Sequence, residues 1–201
     1  MFAYIKGSLE EKGNNYVVVE ANGIGYKIFM SNMAMAALGE IKNIVKVHTY
    51  YYVREDNISL YGFASKEELK MFELLISVSG VGAKSAISML SSISPSDFAL
   101  AIISDDVTKL KKVPGIGAKT AQRIILELKD KLKSEQMAAA TSETEIKVVV
   151  NNSEEVEEAF AALQILGYNK KEIEKVFEKV ETSNMSIEEI IKLGLKYLSN
   201  N

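Results

Sequence analysis

The chain has no cysteine, one histidine and two prolines among its 201 residues. Without cysteine there is no disulfide and no thiolate metal site, which fits a reducing compartment. No apolar run approaches the roughly 20 residues a membrane-spanning helix needs. The N-terminal stretch MFAYIKGSLEE carries charges too soon after a short apolar segment to serve as a signal peptide. A cytoplasmic protein without membrane contact is therefore expected. The single histidine, His48, sits in a strand-like run with no second ligand near it in sequence, so it reads as structural rather than as a metal ligand or general base. What is present is ample apolar material: 47% hydrophobic and 25% charged residues are enough for real cores in one large or two to three small domains.

The net charge of -3 speaks against a nucleic-acid binder until its distribution is read. Residues 1–65 carry 6 basic and 6 acidic side chains, residues 66–134 carry 11 and 8, and residues 135–201 carry 7 and 13. The regional balances are 0, +3 and -6. A basic middle and an acidic tail are expected to meet different partners.

Residues 1–64 read as all-β. YVVVEANGIGYKIFM holds two β-rich runs around Asn22-Gly23, a hairpin signal, and Gly23-Ile24-Gly25 reads as part of that turn rather than a ligand loop. KVHTYYYV and ISLYGF flank a charged tip, Arg54-Glu55-Asp56-Asn57, as a second hairpin. Five or six short strands suggest a small barrel of the oligonucleotide-binding (OB) type, since closure removes exposed edges. Tyr50, Tyr51, Tyr52, Tyr61 and Phe63 could stack on bases, but strand alternation turns about half of them inward, and core packing is the expected role.

Residues 65–133 read as helical. Ser65-Lys66-Glu67-Glu68 has the form of a capping box, Ser94-Pro95-Ser96-Asp97 opens another helix, and Ala121, Ile124, Ile125, Leu128 and Leu132 form one stripe. Residues 134–152, SEQMAAATSETEIKVVVNN, show neither stripe nor turn chemistry and read as a mobile linker, with Val148-Val149-Val150 a possible local strand. Residues 153–201 read as a separate small bundle of three helices, with starts at Asn169 and Ser186.

Within the helical region one pattern occurs twice. SGVGAKS (79–85) and PGIGAKT (114–120) place Gly80 and Gly82, then Gly115 and Gly117, 35 residues apart. Alanine, Ala83 or Ala118, stands where a P-loop needs its second glycine, and neither copy has the third glycine or preceding strand of a dinucleotide site. What remains is helix, Gly-x-Gly turn, helix. Glycine lets the backbone turn tightly and leaves amides uncovered, and the next helix starts there with free N–H donors and its positive dipole end. Lys84 and Lys119 add charge; Ser85 and Thr120 add hydroxyl donors. Such a group suits a backbone phosphate, not a base edge, and two copies could grip both sides of one minor groove. A plain helical hairpin is the competing reading, and repetition of lysine and hydroxyl weakens it.

This arrangement resembles tandem helix-hairpin-helix motifs. The whole order, VREDN…LYGF, then SGVGAKSA, then VPGIGAKTAQRIILELKDK, then a variable linker and helical tail, resembles the RuvA family of Holliday junction branch migration subunits across nearly the whole chain. The resemblance implies a multidomain α+β fold: an OB-like barrel, an all-α tandem helix-hairpin-helix domain and a UBA-like three-helix bundle. It implies phosphate contacts from Gly80, Gly82, Lys84, Ser85, Gly115, Gly117, Lys119, Thr120 and Arg123. It implies no cofactor and no catalysis by the chain itself. Ala118 departs from the pattern, since some relatives carry a second lysine there, and a weaker grip is expected at that turn. For the tip, a solvated turn is the plain reading. The resemblance instead implies a tetramer, with octamer left open, that presents four acidic tips. Glu55 and Asp56 would keep phosphates from crowding the junction centre, and Arg54 would contact a phosphate beside it. It further implies RuvB, a hexameric ATPase, as partner of the acidic tail, and the RuvC resolvase as a further partner. Leu163, Leu166, Tyr168 and Ile173 are the candidate contacts, with core packing the expected role for each.

Two other functions compete. A repair nuclease or glycosylase would place a catalytic aspartate downstream of a hairpin, and Asp130 is the nearest, in the helix LELKDK whose pattern already explains it as surface. A single-strand binder would use the barrel and prefer single strands to four-way junctions.

Overall fold

The computed structural model describes residues 2–55, 57–140, 154–180, 182 and 185–199. The chain divides into two compact units, one of residues 1–76 and 82–93, the other of 77–81 and the residues from 94 onward.

The first unit is built on five strands: β1 (Tyr4–Lys12), β2 (Tyr16–Ala21), β3 (Ile24–Met30), β4 (Ile44–Val53) and β5 (Ile58–Phe63). They close into a barrel in the order β1-β2-β3-β5-β4, as the count of short strands suggested. Asn22 (φ 53°) and Gly23 (φ 80°) both adopt the positive φ a two-residue hairpin turn requires. β1 is long enough to serve two neighbours: residues 4–8 pair with β4 and residues 8–12 with β2. Closure is made by a short parallel pairing in which Phe29 faces Tyr61 and Met30 faces Gly62. Period-two alternation sends Val17, Val19, Val45 and Val47 into the lumen, with Leu9, Ile28 and Met30. A short helix α1 (Asn32–Ala37), unforeseen in the sequence, is capped by the Ser31 hydroxyl and adds Ala34 and Met35 to that core.

β5 breaks the alternation, being buried at every position after Ile58. One face lines the lumen; the other lies under helix α2 (Lys66–Ser77), whose Phe72 ring stands 5.3 Å from Tyr61, 4.9 Å from Phe63 and 5.3 Å from Tyr50. Tyr50, Tyr61 and Phe63, which could have stacked on bases, therefore form this seam, whereas Tyr51 stays exposed beside Phe2. The glycine of LYGF is explained here: a Cβ on Gly62 would lie 2.4 Å from Ile28 Cγ2 and 2.6 Å from Val47 Cγ1, two side chains too stiff at χ1 to move aside. His48 is half-buried, and burial first, then Lys46 and Lys66, push its imidazole below the usual range. The shift favours the neutral imidazole.

Ser65 caps α2 by accepting the Glu68 N–H, but Glu68 returns its bond to Ala64, one residue before the position a capping box uses. Helix α3 (Ala83–Leu90) completes the first hairpin in sequence.

In the second unit, α4 (Pro95–Ile103) starts as read, with Ser94 at the N-cap and proline at the first position. Asp97 accepts from Lys109 at 2.7 Å and from the Ser94 hydroxyl at 2.6 Å, and those bonds hold its carboxyl below the usual carboxylate range. The short α5 (Val107–Lys111) is capped by Asp106. The long α6 (Ala118–Ala140) buries Ala121, Ile124, Ile125 and Leu128 on one stripe. It corrects the expected boundary at residue 133. The apolar stripe fades, but Ser-Glu-Gln-Met-Ala-Ala-Ala is rich in strong helix formers and nothing in it breaks the ladder. Residues 141–153, including the valine run, lie outside the described residues.

α7 (Glu154–Ile165), α8 (Lys170–Phe177) and α9 (Ile187–Ser199) form the expected three-helix bundle. Asn169 and Glu172 make a reciprocal capping box, and Ser186 with Glu189 make another. One expectation is corrected. The bundle is not separate: α7 and α9 pack against α4. The reason is legible in α4, whose Phe98, Ala99, Ala101 and Ile102 are all buried, so it is apolar on more than one side and needs cover on each. Leu163, Leu166 and Ile173 are buried, at 0%, 1% and 0% exposure, which is the core role the sequence favoured over partner contact. Tyr168 is half-buried.

Candidate nucleic-acid interface

The repeated turns share one backbone geometry. Gly80 and Gly115 both have φ 86°. The Val81 N–H donates to Val78 C=O at 3.1 Å, and the Ile116 N–H donates to Val113 C=O at 3.1 Å. The following helix closes with Ala86 N–H to Gly82 C=O at 3.0 Å and Ala121 N–H to Gly117 C=O at 2.9 Å. Every pair is offset by 35 residues. Val78, Val81, Val113 and Ile116 are all buried, so apolar side chains anchor each turn from within.

The two glycines of each turn do different things. A Cβ on Gly115 would meet nothing within 4 Å, and one on Gly80 only Arg123 Nη1 at 3.6 Å. Space is available there; positive φ is what excludes other residues. Gly82, by contrast, has φ -90° and ψ 165°, ordinary extended backbone, and neither Gly82 nor Gly117 has a neighbour that a Cβ would touch. Among the described residues no neighbour calls for glycine at these two places, which leaves their backbone open to approach from outside. Gly82 is also the N-cap of α3 and makes no side-chain cap bond. Lys84, Ser85 and Lys119 are exposed and Thr120 half-buried. Ala118 is exposed, a place where a lysine side chain would reach solvent. The double variant Gly82→Ala/Gly117→Ala is expected to melt within a few degrees of the unmodified chain, because the lower entropy of the unfolded state offsets the poorer N-cap that alanine makes, while binding DNA about tenfold or more weakly. Calorimetry beside DNA titration checks the pair of outcomes; unchanged affinity would return both glycines to a purely local role.

Arg123 is placed differently from the other expected phosphate contacts. Its Nη1 donates to Ser79 C=O at 3.2 Å and its guanidinium lies 3.8 Å from the Glu127 carboxylate. Glu127 Oε2 in turn accepts the Ser79 N–H at 3.1 Å. Sequence reasoning missed Glu127, for which the only signal was an acid four residues after an arginine on a helix. It also passed over Lys111 and Lys112, two exposed cations just before the second turn. Asp130 is exposed on α6, the surface position that LELKDK implied.

At the second hairpin, Val53 pairs with Ile58 as the last rung, and Arg54 and Asn57 close the tip through N–H to C=O bonds of 2.9 and 3.4 Å. Arg54 and Glu55 are exposed; Asp56 lies outside the described residues. Arg54 Nε donates to Tyr52 Oη at 3.0 Å, and its guanidinium lies 5.2 Å from that ring. The Tyr52 ring meets Tyr61 edge-on at 5.8 Å, so the tip arginine is tethered to the aromatic seam.

A closed five-stranded barrel, followed in the chain by two matched helix-hairpin-helix turns and a helical tail, defines a multidomain protein of the DNA-binding class. Family models match in the same order: RuvA N terminal domain over residues 1–62, SAM-like helix-hairpin-helix tandem over 72–130, and RuvA C-terminal domain over 154–199. A protein of Acetivibrio thermocellus is 56% identical over 200 residues, 99% of each chain. One of Ruminiclostridium cellulolyticum is 49% identical over 98% of this chain and 100% of its own, and one of Clostridium perfringens strain SM101 is 46% identical over 98% and 99%. Each of these relatives is named Holliday junction branch migration complex subunit RuvA. The chain belongs to the RuvA family.

Proposed function

We propose that this chain is the non-catalytic, junction-binding subunit of a branch migration complex acting in DNA recombination and repair. The observation that carries this reading is the duplicated turn: two sites with the same hydrogen bonds and the same φ, each presenting glycine, lysine and hydroxyl to one class of ligand. Phosphates recur along a duplex whatever its sequence, so paired sites suit backbone recognition. Four-way DNA has four-fold shape, and a tetramer would match it by offering eight turns and four tips. Glu55 and Asp56 would repel phosphates from the crossover and keep the arms open and square, while Arg54 would contact a phosphate beside them. RuvB would supply ATP hydrolysis and join through the acidic bundle. With Leu163, Leu166 and Ile173 buried, its docking falls to side chains that reach solvent, among them Tyr168 and Tyr197. RuvC resolvase is a further proposed partner.

Fluorescence anisotropy on labelled four-way, duplex and single-stranded DNA across a salt series tests the reading. The four-way substrate should bind tightest, with a steep negative log-log salt slope from released counterions. A preference for single strands, or a nearly flat slope, would overturn it. Cleavage or base loss on incubation with magnesium would favour the repair-enzyme reading instead. Light scattering with and without the junction counts the copies.

A further inference from the structure

The two turns differ conservatively at Val81/Ile116 and Ser85/Thr120, and in kind only at the residue that enters them. Position 114 is proline, which has no N–H to satisfy. Position 79 is serine, which has one. Both backbone polar groups of that serine are taken up by side chains one turn apart on α6, the helix that the second turn starts. Glu127 Oε2 accepts the N–H at 3.1 Å, Arg123 Nη1 donates to the C=O at 3.2 Å, and the two side chains face each other at 3.8 Å. We infer that Glu127 is a positioning residue for the first phosphate-binding turn, holding the Ser79 peptide so that the amides after Gly80 are aimed as proline aims them in the second turn.

The inference rests on the reading that the turns bind phosphate, and charge makes it testable. A carboxylate beside a phosphate site is electrostatically unfavourable, so if Glu127 acted through its charge alone, removing it would tighten DNA binding. If it acts through the Ser79 N–H, removing the acceptor loosens the turn and weakens binding. The signs are opposite. Gly80 and Gly115 share φ 86° and the turn bonds match, so a proline at position 79 is expected to fit as it fits at position 114. Ser79→Pro therefore removes the donor without removing the turn.

The experiment uses the full chain and a labelled four-way junction, with Glu127→Gln, Glu127→Ala, Ser79→Pro and the Ser79→Pro/Glu127→Ala double variant. Glu127→Gln keeps an acceptor and removes the charge, and should bind at least as tightly as the parent. Glu127→Ala should bind about tenfold more weakly, on the scale of one charged hydrogen bond, with a shallower salt slope. Ser79→Pro should match the parent, and the double variant should restore the affinity that Glu127→Ala lacks. A global folding defect in Glu127→Ala would not be repaired by a proline 48 residues away. Binding by Glu127→Ala as tight as Glu127→Gln, a weak Ser79→Pro, or an unrepaired double variant each sinks the inference. Lys84→Ala/Lys119→Ala separates it from the reading beneath: if that variant is weak while Glu127→Ala is not, only the positioning role falls, and if the lysine variant binds normally, both fall.

Discussion

Replacing Lys84 and Lys119 together by alanine is expected to weaken binding to four-way and duplex DNA alike, by about a hundredfold or more. Each lysine stands exposed two residues after the second glycine of its turn, where on the proposed reading it would meet the same phosphate as the helix amides. A hydrogen bond to a charged group contributes roughly 1.5–3 kcal/mol, and two such bonds per chain give about 3–6 kcal/mol before any multiplication by copy number. The salt slope should flatten by close to one unit for each phosphate that is no longer neutralised. Equal weakening on both substrates matters as much as its size, because a backbone interaction carries no information about junction geometry. The fold should survive, since neither lysine is buried. Anisotropy titrations at three or four salt concentrations, with a melting curve for each variant, are sufficient. Affinity within twofold of the parent would mean that the turns face something other than DNA.

The acidic tip should behave in the opposite way. Glu55→Gln/Asp56→Asn removes two negative charges at the end of a two-stranded hairpin whose exposed arginine is tethered to Tyr52. A carboxylate about 4 Å from a phosphate costs about 1 kcal/mol in bulk water and more where water is partly excluded. Binding to plain duplex should therefore tighten by about tenfold or more, and the ratio of junction to duplex affinity should shrink. Selectivity that survives unchanged would leave the tip as a solvated turn and move the source of junction preference to the arrangement of the helix-hairpin-helix turns.

Much of this was legible in the residues because it is local. A two-residue turn such as Asn22-Gly23 needs positive φ at both positions, and few residues supply it. Caps at Ser94, Asn169 and Ser186 act within three residues of themselves. The interval of 35 residues between two Gly-x-Gly turns can be counted without coordinates. The tandem turns, the barrel class and the three-helix tail follow from such short-range rules. Where reasoning from the residues erred, the missing information was non-local or was a propensity with no stripe to advertise it. α6 continued to Ala140 on helix formers alone. The candidate contacts Leu163, Leu166 and Ile173 were apolar and could have faced a partner or a core; only packing distinguishes the two.

The sequence by itself determined the repeated turns, the charged hairpin tip and the order of the domains, because each rests on dihedral preferences and hydrogen bonds between near neighbours. The tertiary structure decided what distant residues do for one another. It closed the barrel through Phe29 and Tyr61, made the glycine of LYGF necessary by bringing Ile28 and Val47 against it, covered α4 with the bundle, and set Glu127 on the amide of Ser79. Burial and packing between residues tens of positions apart depend on where the whole chain goes, and no local pattern carries that.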